Sequence, residues 1–210
     1  MSRRFFDPQN SLWYWLSKVP EMLLLSLLWL LLSLPVLTLP AACTALYDCV
    51  ARNMRHDEKG LYRRFFRTFR AELPRSVLLA LVWGALAAAL AFGYQTITAR
   101  TGESSTMAVY ALVYQVSLLL PTAVFFWLIP IESRFVYSFS QLHKTALAFT
   151  FSYLPRTALL LILTLLAILL CRYVPILTLL LPTLIAVAHS LVIEKVFEAY
   201  TPEDAWQNRT

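Results

Sequence analysis

The residues of this chain that could carry chemistry inside a membrane are few and lie far apart. Gln115 and His189 each interrupt a long apolar segment. A polar or ionisable side chain there is a candidate for binding a solute or a proton, because hydrocarbon offers it no hydrogen bond. The same side chain can equally bridge two helices. Gln115 and His189 are therefore predicted as an intramembrane polar site, with helix bridging as the alternative.

Charged residues also mark the points where three apolar segments end. They form three pairs along the sequence: Asp48 with Arg52, Glu132 with Arg134, and Glu194 with Lys195. If the segments pack side by side, these pairs would form a charged ring at one mouth of the bundle. Ordinary charge at a membrane interface is the alternative.

No catalytic, cofactor-binding or metal-binding set is recognisable. The chain has only four glycines, and none of them forms a phosphate-binding loop. Its three histidines are far apart, and its three cysteines have neither zinc-site spacing nor a disulfide pattern. We therefore expect a protein that is not an enzyme and that binds no cofactor or metal.

The clearest functional pattern is an amphipathic segment at about residues 57–73. Projected as a helix, it separates basic from aromatic side chains: Arg63, Arg64, Arg67 and Arg70 lie on one side, and Phe65, Phe66 and Phe69 lie on the other. Such a helix lies in the membrane interface, with its rings in hydrocarbon and its arginines on phosphates. The pattern predicts contact with anionic lipid headgroups, and a docking helix for a protein partner is the alternative.

The elements that position these residues are predicted to be membrane helices. Of the 210 residues, 59% are hydrophobic and 14% are charged, which is too apolar for a water-soluble domain. A spanning helix needs about 20 apolar residues. We predict a single all-α membrane domain over residues 1–210, a polytopic helical bundle. It has five transmembrane helices at about 22–50, 76–98, 107–129, 157–171 and 176–193, together with interfacial amphipathic helices.

Proline residues interrupt the predicted spans. Proline lacks an amide donor and clashes with the preceding turn, so helix kinks are predicted at Pro35, Pro40, Pro121 and Pro182. Leu39-Pro40 recurs 81 residues later as Leu120-Pro121. Leu73-Pro74-Arg75-Ser76 recurs at the same offset as Leu154-Pro155-Arg156-Thr157. The shared offset predicts a parallel internal repeat, with chance Leu-Pro pairs as the alternative.

The distribution of basic residues predicts the orientation. The net charge is +6, and thirteen Lys and Arg lie in segments that would share one side of five spans, against five on the other. Cytoplasmic loops carry the excess of positive charge. We therefore expect a membrane protein with its amino terminus outside the cell and its carboxyl terminus in the cytoplasm. Because the basic residues lie beside spans, lipid is the expected partner and nucleic acid is not.

Three sequence blocks resemble the YesL-like family of bacterial membrane proteins, whose function is unknown. They are Ser33–Thr38 (SLPVLT), Ala41–Tyr47 (AACTALY) and Phe65–Arg70 (FFRTFR). Pro40 departs from the family pattern, in which a turn containing glycine is expected. The resemblance implies association with carbohydrate import systems of the ATP-binding-cassette type, because such proteins are often encoded near them. It supplies no catalytic residue.

Two functions remain open at this stage. One is a membrane accessory protein that binds lipid and subunits of an ATP-binding-cassette transporter. The alternative is a small-solute transporter or channel subunit in its own right, built around Gln115 and His189. Assembly of several copies of the chain is left open in both cases.

Overall fold

The computed structural model describes residues 8–54, 60–99, 105–198 and 200. Within them the chain is helical and contains no strand. The helices are α1 (Pro8–Ser33), α2 (Leu39–Cys49), α3 (Leu61–Thr98), α4 (Ser105–Ser117), α5 (Leu119–Arg134), α6 (Phe139–Ser152), α7 (Leu154–Tyr173) and α8 (Leu181–Phe197). Short 3-10 turns, Val36–Thr38 and Pro175–Leu179, precede α2 and α8, and the π-type turn Val50–Met54 follows α2.

Three helical segments of the described chain are long and apolar enough to cross a membrane. They are Leu61–Thr98, Ala108–Arg134 and Leu154–Tyr173. This finding confirms the all-helical class and the membrane-helix character, whereas five spans remain a prediction. The third segment has 20 residues and is longer than the predicted 157–171, because the helix begins at Leu154 and continues through Arg172.

The predicted single span 22–50 is wrong. The chain leaves the helix after Ser33 and doubles back, so that the Trp29 Nε1 atom lies 3.4 Å from the Cys43 sulfur. In one continuous helix these residues would be about 21 Å apart along the axis. Pro35 causes the break, because its backbone is extended (φ −74°, ψ 114°) and it offers no amide hydrogen.

The predicted interfacial helix and second span are one element rather than two. Helix α3 runs without interruption for 38 residues, beginning at Leu61 after Gly60 in the left-handed conformation (φ +93°). Residues 57–59 of the predicted helix lie outside the described residues. Pro74 is tolerated inside α3 because it and Arg70, whose carbonyl loses its donor, are both exposed. At 1.5 Å per residue α3 is about 57 Å long, roughly twice the hydrocarbon thickness of a bilayer.

The other predicted kinks are helix beginnings. Pro40 and Pro182 each occupy the first turn of a helix, α2 and α8, where no intrahelical donor is needed. Pro121 lies in the first turn of α5, just after the interruption at Leu118. The three Leu-Pro steps therefore share one role, which is to start a helix.

Two of these helix beginnings are capped by buried serines from other helices. The amide of Ala41 in α2 donates to Ser76 Oγ of α3 at 2.8 Å. The amide of Thr183 in α8 donates to Ser26 Oγ of α1 at 3.2 Å, and the two hydroxyls lie 2.6 Å apart. The first amides of a helix have no intrahelical acceptor, and away from water each needs one. The serines supply it.

Replacing Ser76 or Ser26 with Ala should therefore lower the free energy of unfolding by about 1–2 kcal/mol. Ser33→Ala is the matched control, because the Ser33 hydroxyl donates only to the Leu30 carbonyl within its own helix. Unfolding in mixed detergent micelles, followed by circular dichroism, measures the difference. Equal stability of all three variants would contradict the capping role.

Candidate functional site

The central element of the bundle is α2. Nine of its residues are buried, and it packs against α1, α3, α5 and α8. A buried acidic side chain lies near the end of each of α2, α5 and α8. These residues are Asp48, Glu132 and Glu194, and their exposed fractions are 7%, 6% and 3%. We call these residues and their arginine and hydroxyl partners the charge network.

Asp48 is held by α3 and by its own helix. Its Oδ1 atom lies 2.9 Å from Arg52 Nε in the π-type turn. Its Oδ2 atom accepts a hydrogen bond of 2.9 Å from the Thr68 hydroxyl of α3. One carboxylate thus receives one arginine and one hydroxyl.

Glu132 repeats this arrangement with different helices. Its Oε1 atom lies 3.3 Å from Arg75 Nε of α3, and its Oε2 atom accepts a 3.2 Å hydrogen bond from the Thr44 hydroxyl of α2. The contact with Arg75 is an ion pair without hydrogen-bond geometry, since Glu132 Oε1 and Arg75 Nη2 are both buried without such a partner. Glu132 therefore joins α5 to both α2 and α3.

Glu194 has the strongest contacts of the three. Both of its oxygens face Arg134 of α5, with distances of 3.1 Å to Nε and 2.6 Å to Nη2. The Tyr47 hydroxyl of α2 donates to Oε1 at 3.1 Å. Two parallel N–H···O bonds between a guanidinium and a carboxylate fix orientation as well as adding energy.

These contacts give each buried carboxylate a counter-charge. The Arg134–Glu194 pair also forms hydrogen bonds, whereas the Arg52–Asp48 and Arg75–Glu132 contacts are ion pairs without hydrogen-bond geometry. Removing a charge from water costs several kcal/mol, which a partner repays only with good geometry and further hydrogen bonds. Three carboxylates face three arginines here, and a hydroxyl supplies each carboxylate with another donor. The network links α2, α3, α5 and α8 and can act as a rigid junction.

The charged residues at the ends of the three apolar segments do form ion pairs, but two of the three predicted pairs are different. Asp48 and Arg52 pair as predicted because residues four apart share a helix face. Glu132 and Arg134 are only two apart and point in different directions, so Glu132 meets Arg75 and Arg134 meets Glu194. Lys195 is exposed.

The sequence did not identify four of the residues that belong to the charge network. Thr44, Tyr47 and Thr68 lie in the blocks that carry the family resemblance, but nothing in the sequence marked their hydroxyls as partners of a carboxylate. Arg75 did give a signal, since it lies in the repeated Leu-Pro-Arg-Ser motif that precedes a span. Its carboxylate partner is 57 positions away and could not be read from the sequence.

The two residues of the predicted intramembrane polar site are not brought together. His189 is buried, and its Nε2 atom lies 3.1 Å from the Thr164 hydroxyl of α7. Gln115 is exposed on α4 and donates to the Tyr94 hydroxyl of α3 at 2.9 Å. The prediction of one shared site is therefore wrong, and both residues bridge helices.

The amphipathic pattern of α3 is present, but its aromatic face meets protein. Phe65 is fully buried and stacks on Phe69, with ring centroids 6.4 Å apart. Phe65 packs in a cluster with Cys49 and Val50. It therefore cannot contact lipid or a partner, which corrects the prediction for this residue, whereas Phe66 is 50% exposed.

The basic face of α3 is open to its surroundings. Arg63, Arg67 and Arg70 are exposed, and Arg64 is half-buried. We call these four residues the arginine face. Because the opposite side of the helix is anchored in the bundle, the arginine face is held in a fixed orientation.

The described residues offer no cluster of three His, Cys, Asp or Glu side chains that could hold a metal ion. Two cavities are present instead. One, of about 590 Å³, lies between α3 and α5. The other, of about 380 Å³, lies among α1, α2, α5, α7 and α8, and His189 is part of its wall. Their linings are mainly apolar.

Comparison with protein families connects the first half of the bundle to a known group. Residues 22–94 match the family described as "Protein of unknown function, DUF624". This match confirms the resemblance to YesL-like membrane proteins over that segment. The matched segment contains Asp48 and Arg75 but ends before Glu132. Neither curated proteins nor solved structures gave a significant match.

Breaking one pair of the network should show its contribution to stability. Glu194→Gln leaves the Arg134 guanidinium buried without a counter-charge, and we expect a loss of about 3–5 kcal/mol in the free energy of unfolding. Tyr47→Phe removes one hydrogen bond and should cost about 1 kcal/mol. Chemical denaturation in detergent micelles measures both.

Lys195→Gln is the control, because this neighbouring side chain is exposed and its loss should leave stability nearly unchanged. The double variant Glu194→Leu with Arg134→Met should recover much of the loss by removing both charges. If Glu194→Gln behaved like the control, the network would not hold the helices together.

Proposed function

We propose that this protein is a membrane-embedded interaction protein that presents the arginine face of α3 to an anionic surface. The observation that carries this proposal is the single 38-residue helix. Its length of about 57 Å exceeds the roughly 30 Å of hydrocarbon, so about half of it extends beyond the hydrocarbon. The polar half is the beginning of α3, which carries the arginine face.

The charge of the arginine face determines what it can contact, and phospholipid headgroups are the first such group. A guanidinium binds phosphate oxygens through two parallel hydrogen bonds. Three exposed arginines within eight residues form a compact cationic surface. Subunits of a carbohydrate importer of the ATP-binding-cassette type are the proposed protein partners, and the family resemblance alone supports them.

The proposed orientation places the charge network and the beginning of α3 on the cytoplasmic side. Helix α7 runs antiparallel to α8, since Thr164 pairs with His189 and Cys171 with Thr178. The chain then crosses the membrane four times, through α3, α4–α5, α7 and α8. Helix α8 therefore ends on the side where α3 begins. Because α1 and α2 double back, we infer that the amino terminus also lies on this side. Sixteen of the eighteen Lys and Arg then belong to cytoplasmic segments.

The internal repeat gains support from two equivalent side chains. Ser76 and Thr157 occupy the same position of the repeated Leu-Pro-Arg motif, and both are buried. Ser76 Oγ accepts from the Ala41 amide of α2, and Thr157 Oγ1 accepts from Trp127 Nε1 of α5 at 2.9 Å. We infer that α2–α3 and α5–α7 are two copies of one unit.

The transporter alternative draws less support from the described residues. Gln115 and His189 lie apart, and the two cavities offer mainly apolar walls to a solute. Solute flux in reconstituted vesicles that His189→Ala abolishes would reverse this preference. Gln115→Ala serves as the control because this residue lies outside both cavities.

The arginine face can be tested by its lipid preference. In the variant Arg63→Gln/Arg67→Gln/Arg70→Gln, binding of phosphatidylglycerol over phosphatidylcholine should fall by about a hundredfold, because each basic residue near the surface contributes about 1 kcal/mol. Native mass spectrometry of protein released from mixed-lipid nanodiscs measures the retained lipids. Lys144→Gln/Arg172→Gln/Lys195→Gln removes the same charge from exposed positions elsewhere and should keep the preference.

A photoreactive residue at position 67 tests the protein partner in native membranes. Crosslinks to importer subunits would support the carbohydrate-import assignment. If position 67 crosslinked only to lipid and the lipid preference were normal, the proposal of headgroup binding would hold. The proposal of a transporter subunit as partner would be rejected.

The orientation predicts the compartment of both chain ends. Reporters that are active only in the cytoplasm should give signal when fused before Met1 or after Thr210. An inactive reporter at the amino terminus would indicate that this end is external and would favour the topology in which the two ends lie on opposite sides. An inactive reporter at the carboxyl terminus would contradict both topologies.

A further inference from the structure

The cavity that contains His189 has the features of a ligand site. Its volume is about 380 Å³, within the usual range for small-molecule pockets. Aromatic side chains form much of its wall, namely Trp29, Tyr47, Phe125 and Phe126. The cavity is partly open, so a flat apolar ring can enter it and gain van der Waals and aromatic contacts with these side chains.

The charge of the lining restricts the ligand. Neither Asp, Glu, Lys nor Arg contributes to this wall among the described residues. The nearest carboxylate that the structure connects to it is Glu194, bonded to the wall residue Tyr47 and already paired with Arg134. A charged ligand would lose its hydration without gaining a counter-charge, so the ligand must be neutral.

The polar groups of the lining restrict the ligand further. His189 and Thr164 bond to each other at 3.1 Å, and the Thr164 hydroxyl also donates to the Leu160 carbonyl at 2.9 Å. Trp29 Nε1 points to the Cys43 sulfur at 3.4 Å, and Thr178 to the Cys171 sulfur at 3.5 Å. Because the single Thr164 hydrogen goes to the Leu160 carbonyl, His189 Nε2 donates to Thr164, and the neutral imidazole keeps Nδ1 as an acceptor. His189 is thus the best placed polar group for a ligand.

We propose that this cavity binds a neutral, membrane-soluble ring compound that carries one hydroxyl group, which donates a hydrogen bond to His189 Nδ1. At about 30 Å³ per water-sized group, the cavity holds roughly a dozen non-hydrogen atoms, which is the size of a two-ring compound. Any longer apolar tail of the ligand would extend between the helices into lipid. This site is separate from the arginine face and from the function proposed for it.

The probes are 1-naphthol and naphthalene, which differ by one hydroxyl group. Equilibrium dialysis against protein-loaded nanodiscs, with empty nanodiscs of the same lipid subtracted, should show saturable binding of one naphthol per chain. Naphthol should bind roughly tenfold more tightly than naphthalene, the ratio expected for one buried hydrogen bond. No saturable excess over empty nanodiscs, or equal affinity for the two probes, would overturn the proposal.

Two variants locate the site. His189→Leu should reduce naphthol binding to the affinity of naphthalene and leave naphthalene binding in place. Ile185→Phe, at another wall residue, should fill the cavity and weaken both probes at least tenfold.

Gln115→Leu is the matched control, because it removes a polar side chain from an apolar helix outside the cavity. It should bind both probes like the unmodified chain. Circular dichroism verifies the helical content of each variant, and if His189→Leu fails to fold, Ile185→Phe decides alone. Unchanged naphthol binding in the folded variants would place the probe elsewhere and refute the site.

Discussion

The bidentate pair between Arg134 and Glu194 is the interaction on which the arrangement of the bundle depends. It joins α5 to α8, and Tyr47 bonds the same carboxylate from α2. These are the ends of three helices that all begin with a Leu-Pro step. A pair of charges buried in this way adds little stability compared with apolar side chains, but it tolerates few alternative partners. The pair therefore specifies which helix ends meet. The apolar contacts around it do not need to be specific for this.

Many interior polar groups of the bundle have their hydrogen-bond or ion-pair partners on other helices. The amides that start α2 and α8 use serines of α3 and α1, and the carboxylates that end α2, α5 and α8 use arginines and hydroxyls. Hydrocarbon provides no substitute for these partners. A slide of one helix against another by a residue would break those of these bonds that join different helices. The register of the helices follows from the polar contacts.

The sequence was sufficient for properties that depend on local pattern. Apolar length predicted the three long apolar helices, and a spacing of four residues predicted the Asp48–Arg52 pair correctly. It was insufficient where a choice depended on tertiary contacts. The chain from Met22 to Val50 reads as one apolar run, because the exposed residues of the reversal, such as Leu34 and Val36, are themselves apolar and leave no polar loop to mark it. The aromatic face of α3 fits lipid and protein equally well by composition, so only the fold shows that Phe65 is internal.

The division of the charge network along the chain has a consequence for biosynthesis. Arg75 and Tyr47 are made early, whereas their carboxylate partners Glu132 and Glu194 emerge from the ribosome 57 and 147 residues later. During that interval the first helices hold unmatched polar groups near the membrane surface. They can be stabilised there by water, headgroups or the insertion machinery until α5 and α8 arrive. Helix α8, the last of the described helices, thus completes the contacts of the earlier ones, and a nascent chain that stops short of α8 leaves Arg134 and Tyr47 without the Glu194 carboxylate.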